Sequence, residues 1–195
     1  MLLKKLCVRT ESRMRVIAGA AKGRVLKVPR VAVRPTTGLV KGALFAILGS
    51  KLQDAHVLDL YAGSGALGIE ALSRGAAWVD FVEQEPRSCT VVRENLKATG
   101  LETQAHVHCC KAARALTFLE KKYDVVLLDP PYADPSLDSM LAQIAGSTVV
   151  KPTTVLVVAH SSRRRLGDAY GPFAKARERC HGDTCISLFK GEVSS

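Results

Sequence analysis

Acidic and small residues recur at positions that could build one site. Asp59 lies inside the apolar run Val57-Leu58-Asp59-Leu60, which leads into Tyr61-Ala62-Gly63-Ser64-Gly65-Ala66-Leu67-Gly68. A carboxylate in such a run is costly unless a hydrogen-bonding group or a cation meets it. Glycines at 63 and 65 let backbone approach a ligand that a Cβ would push away, and the helix expected after them adds unpaired N–H groups. The stretch reads as a cradle for a nucleotide-type ligand formed by Asp59, Tyr61, Ala62, Gly63, Ser64 and Gly65. Its letters satisfy G-x-G-x-x-G, so a dinucleotide site is one reading. Glu83 follows at the end of a second apolar run, placed to accept from both hydroxyls of a ribose.

A second constellation, Asp129-Pro130-Pro131-Tyr132, ends the run Val125 to Leu128. Two prolines remove two N–H donors and fix φ, leaving a stiff turn rich in acceptors. Acceptors select a donor, and Tyr132 offers a face for a planar base. An exocyclic amino group on a nucleobase matches these features.

These residues need a frame that gathers strand ends. Strand and helix signals alternate from Asp54 onward, with strands at 56–61, 79–83, 104–109, 123–128 and 153–159 and helices near 66–74, 86–98, 112–121 and 136–145. Such alternation predicts a doubly wound, mostly parallel sheet covered on both faces, whose ligands sit beyond the carboxyl ends of the strands. Residues 171–191 read as an antiparallel hairpin around Gly182-Asp183 that closes the sheet. Upstream, 14–19 and 24–28 read as a small β-hairpin, Arg34-Pro35-Thr36-Thr37 as a stiff turn, and Leu39 to Leu48 as a helix. The expected organisation is a mobile tail at 1–13, a basic hairpin and turn at 14–37, and a catalytic domain at 38–195, with Met14 competing with Met1 as the start.

The net charge is +10, and residues 1–30 carry nine Lys and Arg against Glu11 alone, or +8 of that total. Such a pole suits an acidic partner, nucleic acid above all. Arg15, Lys22, Arg24, Lys27, Arg34 and Thr36 are the candidate RNA contacts. The longest apolar runs fall far short of the ~20 residues a membrane helix needs. The six cysteines form no C-x-x-C pair, and Cys180-His181 with Cys185 lacks a fourth ligand at zinc spacing. Reduced thiols, no metal and a soluble cytoplasmic protein are therefore expected.

Val57 to Gly68, Glu83 and Asp129-Pro130-Pro131-Tyr132, in this order, resemble motifs I, II and IV of S-adenosylmethionine-dependent methyltransferases acting on amino groups of bases. Arg15-Val16-Ile17-Ala18-Gly19, Gly23-Arg24, Arg34-Pro35-Thr36-Thr37 and Ala43-Leu44-Phe45 extend the likeness from about residue 14 to the end. Together they are similar to the bacterial family that methylates guanine N2 in 16S ribosomal RNA of the small subunit. The resemblance implies a class I, Rossmann-like methyltransferase with a seven-stranded sheet, using S-adenosyl-L-methionine. It implies that Asp59 and the glycine turn face the methionine part of that cofactor and Glu83 its ribose, with Asp129, Pro130, Pro131 and Tyr132 acting on the base. Lys111 stands where the family carries Asp or Asn, so a backbone contact at Lys111 and Ala112 is expected to meet the adenine. The implied partner is 16S RNA, within an assembled or assembling 30S subunit, and the implied state is a monomer. Three rivals remain: a nicotinamide-dependent oxidoreductase, a non-catalytic RNA-binding assembly protein, and a DNA adenine-N6 methyltransferase. Asp59 and the DPPY turn count against the first and DPPY against the second. The third needs a target-recognition domain for which the chain is too short.

Overall fold

The computed structural model describes residues 14–29 and 38–191. Arg34 and Thr36 lie outside the described residues, as does the tail at 1–13. Helix α1 is Gly38–Leu48, followed by the strands β1 His56–Leu60, β2 Trp78–Glu83, β3 Ala105–Cys109, β4 Tyr123–Leu128 and β5 Val150–Ser161. Helices α2 Ala66–Ser73, α3 Pro86–Thr99, α4 Ala112–Ala115 and α5 Leu137–Ala145 alternate with them, and β6 Ala169–Tyr170, β7 Phe173–His181 and β8 Thr184–Gly191 finish the chain. The sheet runs β3-β2-β1-β4-β5-β8-β7-β6. Its first five strands are parallel and the last three antiparallel.

The expected seven strands are thus eight. The additional one, β6, pairs only Ala169 and Tyr170 with β7, and two residues carry no readable period. Strand order reverses between β1 and β4, which sets Asp59 and Asp129 on neighbouring strands at the switch point. Two apolar layers hold the sheet. One gathers Leu44, Phe45 and Leu48 of α1 with Ile69 and Leu72 of α2 over Val57, Val79, Val125 and Val157. The other sets Leu141 and Ile144 of α5 against Leu58, Val126 and Leu156.

Residues 14–28 form a hairpin in outline, with one ladder pair, Arg15 with Val25, and bonds such as Val16 N–H to Arg24 C=O at 3.0 Å. A lone hairpin is marginal in water, so its docking matters. Glu70, fully buried in α2, accepts from Ile17 N–H at 2.8 Å and Ala18 N–H at 3.0 Å. Its oxygens also meet Lys41 Nζ at 3.0 Å and Arg74 Nε at 2.8 Å. Gly19 lies so close to the end of α2 that a Cβ there would stand 1.5 Å from the Ser73 carbonyl oxygen. Asn95 of α3 donates to the carbonyls of Lys27 and Ser64, both at 2.9 Å, and so ties the hairpin to the glycine turn.

The cysteines correct an expectation. Cys89 pairs with Cys109, with Cα atoms 6.0 Å apart, and Cys180 with Cys185, which lie opposite each other in the β7–β8 ladder. Partners 20 residues apart on α3 and β3, or facing across a hairpin, show no spacing signature in sequence.

Candidate active site

Beyond the carboxyl ends of β1, β2 and β4 lies a cleft of about 330 Å³ lined by Asp59, Tyr61, Ala62, Gly63, Ser64, Glu83, Ala112, Asp129 and Pro131. The chain places these by ending each strand where its apolar run stops. Tyr61 closes β1 at φ +64, a left-handed conformation that costs a side chain energy and clusters at functional sites. Gly65 caps α2 at φ +79, where glycine carries no such cost. A Cβ on Gly63 would meet no protein atom within 4 Å, so this turn opens toward space rather than toward core.

Asp59 is buried. One of its oxygens accepts from Gly68 N–H at 2.8 Å, while Oδ1 is the only buried side-chain oxygen or nitrogen without a partner among the described residues. Burial pushes its pKa up to about 8 against the pull of the Gly68 N–H, and the charges of Asp129 and Glu83 add to the rise. Glu83 accepts from Gly63 N–H at 2.8 Å and from Glu85 N–H at 2.9 Å. Each of its oxygens keeps a second lone pair, so the carboxylate braces the turn and still has room for two hydroxyls. Burial and the neighbouring Asp134 push Tyr61 up to about 12, which keeps its phenol protonated.

Of the second constellation, Asp129 and Pro131 line the cleft, while Pro130 and Tyr132 stand outside the lining. Asp129 is half-buried, Pro130 is buried and Pro131 is exposed. Tyr132 is 39% exposed, and its hydroxyl is hydrogen-bonded to Thr184 Oγ1 at the start of β8. A phenol tethered at its tip leaves the ring face available to a planar partner. Of the expected site residues, Gly65, Lys111, Pro130 and Tyr132 do not line the cleft. Lys111 is exposed just before α4 and outside the lining, while Cys110 and Ala112 on either side of it contribute. Among the expected RNA contacts, Arg15, Lys22 and Arg24 are exposed, and Lys27 meets Glu94 at 2.8 Å.

Several lining residues carried no sequence signal. Met14, Val28 and Pro29 bring the hairpin over the cleft, and Ser64 Oγ lies 3.5 Å from Met14 Sδ. Lys41 also lines it, although its ammonium bonds to the Arg15 carbonyl at 2.7 Å and to Glu70. Burial lowers its pKa against the opposing pull of Glu70.

A cleft lined by four acidic side chains, Asp59 with its orphaned oxygen, Glu83, Glu85 and Asp129, beside an open glycine turn suits a cationic ligand bearing vicinal hydroxyls. The profile described as Conserved hypothetical protein 95 matches residues 14–190. The chain belongs to this family. YlbH of Bacillus subtilis (strain 168), which carries a provisional rRNA methyltransferase name, is 36% identical over 91% of this chain and 98% of its own length. Ribosomal RNA small subunit methyltransferase D of Escherichia coli (strain K12) is 29% identical over 92% of this chain and 91% of that protein. The solved structure of the Escherichia coli methyltransferase yhhF, also provisionally named, superposes with a TM-score of 0.81 at 30% identity, covering 93% of this chain and 99% of that one. The family is one of methyltransferases, and its α/β frame is the one described above. No described helix is long and apolar enough to cross a membrane, and no group of metal-ligating side chains occurs among the described residues.

Proposed function

We propose that this chain transfers a methyl group from S-adenosyl-L-methionine to the exocyclic N2 of a guanine in 16S ribosomal RNA of the small subunit. The observation that carries the reading is the pairing, on adjacent strands β1 and β4, of a carboxylate with an orphaned buried oxygen and an acceptor-rich DPPY turn beside a tethered aromatic ring. The name of the Escherichia coli relative supports the RNA part of the proposal.

Asp59 and the Gly63 to Gly65 turn would hold the methionine part of the cofactor, Glu83 its ribose, and the backbone beside Ala112 its adenine. When bound, the cofactor supplies a methyl group made electrophilic by a sulfonium. Everything else falls to the chain. A guanine amino group is a poor nucleophile because its lone pair is delocalised into the ring. Acceptors at Asp129 and the Pro130 carbonyl that take its hydrogens favour a pyramidal nitrogen with the lone pair free. Tyr132 holds the base by stacking, worth about 1–3 kcal/mol. The proton shed by the methylated nitrogen passes to Asp129 or to water. Positioning is the main contribution, and fixed electrostatics the second.

The raised pKa of Asp59 has a measurable consequence. Below about pH 8 the free protein holds this carboxyl protonated. A cationic ligand requires the carboxylate, so binding must release a proton there. Cofactor affinity is therefore complete above about pH 8 and falls as pH drops, by up to tenfold per unit. Calorimetry in buffers of different ionisation enthalpy reads the released proton directly. Asp59→Asn should abolish both the release and the slope.

The substrate is tested by offering labelled S-adenosylmethionine with protein-free 16S RNA and with 30S particles, both from cells lacking this protein. The 30S particle should be the better acceptor, because a domain this small gains from a substrate whose shape is already fixed. Equal rates on both would remove the subunit from the proposal, and label on neither would remove the ribosomal substrate.

A further inference from the structure

The N-terminal third holds most of the net charge, yet the fold assembles a second basic surface at the opposite flank of the cleft. Residues 162–191 contain seven Lys and Arg against three acids. Two of the seven are consumed locally. Arg164 turns in to the Asp138 carboxylate at 2.7 Å and to the Asp134 carbonyl, and Lys175 meets Asp168 at 3.2 Å. Arg163, Arg165, Arg177 and Arg179 are exposed and make no ion pair among the described residues.

Their placement is ordered by the sheet. Arg177 faces Leu188 and Arg179 faces Ile186 across the β7–β8 ladder, so both arginines share the sheet face of those apolar residues. That face is covered by α1 further in and is bare along β7, where residues 177–181 are all exposed. Thr184, two residues before Ile186, shares the same face and bonds the Tyr132 hydroxyl. The arginines thus rise from the strand pair that anchors the DPPY aromatic. Arg163 and Arg165 come from the loop after β5, which is fastened to the hairpin tip by Ser162 N–H to the Asp183 carbonyl at 2.9 Å. Glu178 faces the other way and accepts from buried Ser187 at 2.7 Å, which keeps its charge off the arginine face.

Strand order then fixes the relation to the cleft. The N-terminal hairpin docks on α2 and α3, the helices flanking β1 to β3, while β8 and β7 lie beyond β5 on the far side. Asp59 on β1 and Asp129 just after β4 stand between the two basic arms. We infer that the C-terminal arm, Arg163, Arg165, Arg177 and Arg179, is a second RNA-binding surface that grips phosphates of the strand next to the target guanine. The cleft would then be clamped from both flanks. This inference rests on the proposed RNA substrate. Guanidinium groups are suited to the role because their donor fork matches phosphate oxygens and stays charged at every working pH.

The test replaces these four arginines with alanine in the full chain and measures binding of 16S RNA and of 30S particles from cells lacking this protein, at several salt concentrations. The wild-type protein should bind RNA with a steep salt dependence. The variant should lose about 0.7–0.9 of log–log slope for each phosphate contact removed, while its melting temperature and S-adenosylmethionine affinity stay unchanged. Photo-crosslinking should also place nucleotides on peptides from 173–184. An unchanged slope in the variant beside a steep wild-type slope would overturn the second surface alone. Cross-links to small-subunit proteins in place of nucleotides would do the same. A wild-type chain that binds neither RNA nor 30S would sink the RNA substrate and this surface with it.

Discussion

Asp129→Ala should reduce methyl transfer by about 10²–10⁴-fold while leaving S-adenosylmethionine affinity within a few-fold of wild type. The expectation follows from where the carboxylate stands. Asp129 ends β4 in the wall of the cleft, whereas the glycine turn is held by the Glu83 carboxylate and the Gly68 N–H to Asp59 bond, neither of which involves Asp129. Its charge does raise the pKa of Asp59. Removing it would ease ionisation of Asp59, so cofactor binding should, if anything, tighten slightly below pH 8. Asp129→Asn retains one carbonyl acceptor and should fall between the two. Single-turnover transfer and equilibrium binding on the same preparations separate the effects. Near-normal transfer by the alanine variant would reduce DPPY to a structural turn.

Glu70→Ala should destabilise the protein by about 3–5 kcal/mol, a large share of a typical domain's total stability. Four groups converge on this one side chain: the N–H groups of Ile17 and Ala18, the Arg74 guanidinium and the Lys41 ammonium. Lys41 is itself 2% exposed, so losing Glu70 leaves a buried cation with only a carbonyl partner and two N–H groups unmet. For a chain of this length the change corresponds to a fall in melting temperature of about 6–20 °C. The hairpin should also become the first site of proteolysis, because its docking on α2 depends on the same carboxylate. A drop of less than 2 °C would show that the hairpin is held by other contacts.

What the sequence disclosed follows from which interactions are local. Strands β1 to β5 and the closing hairpin were legible because an apolar run or an alternation lies within a few consecutive residues. Asp59, Glu83 and Asp129 stood out as acids at the ends of such runs. Helix α4 ends at Ala115 rather than 121, although Leu119 beyond it is still buried in the core and only Phe118 faces solvent. Glu70 gave no signal, because nothing in Ala66 to Ser73 announces partners more than fifty residues upstream. Asn95 was equally silent for the same reason. The C-terminal arginines were visible as letters, but strands β7 and β8 had to be in register before they shared a face. Lys111, expected to offer its backbone alone, lies between two residues of the lining, Cys110 and Ala112.

The most direct test of the whole account is mass spectrometry of nucleosides from 16S RNA of cells with and without this protein. N2-methylguanosine should fall by one residue per 16S molecule in the deletion strain and return with the wild-type gene but not with Asp129→Ala. An unchanged N2-methylguanosine content, or the loss of a methylated adenine in its place, would contradict it.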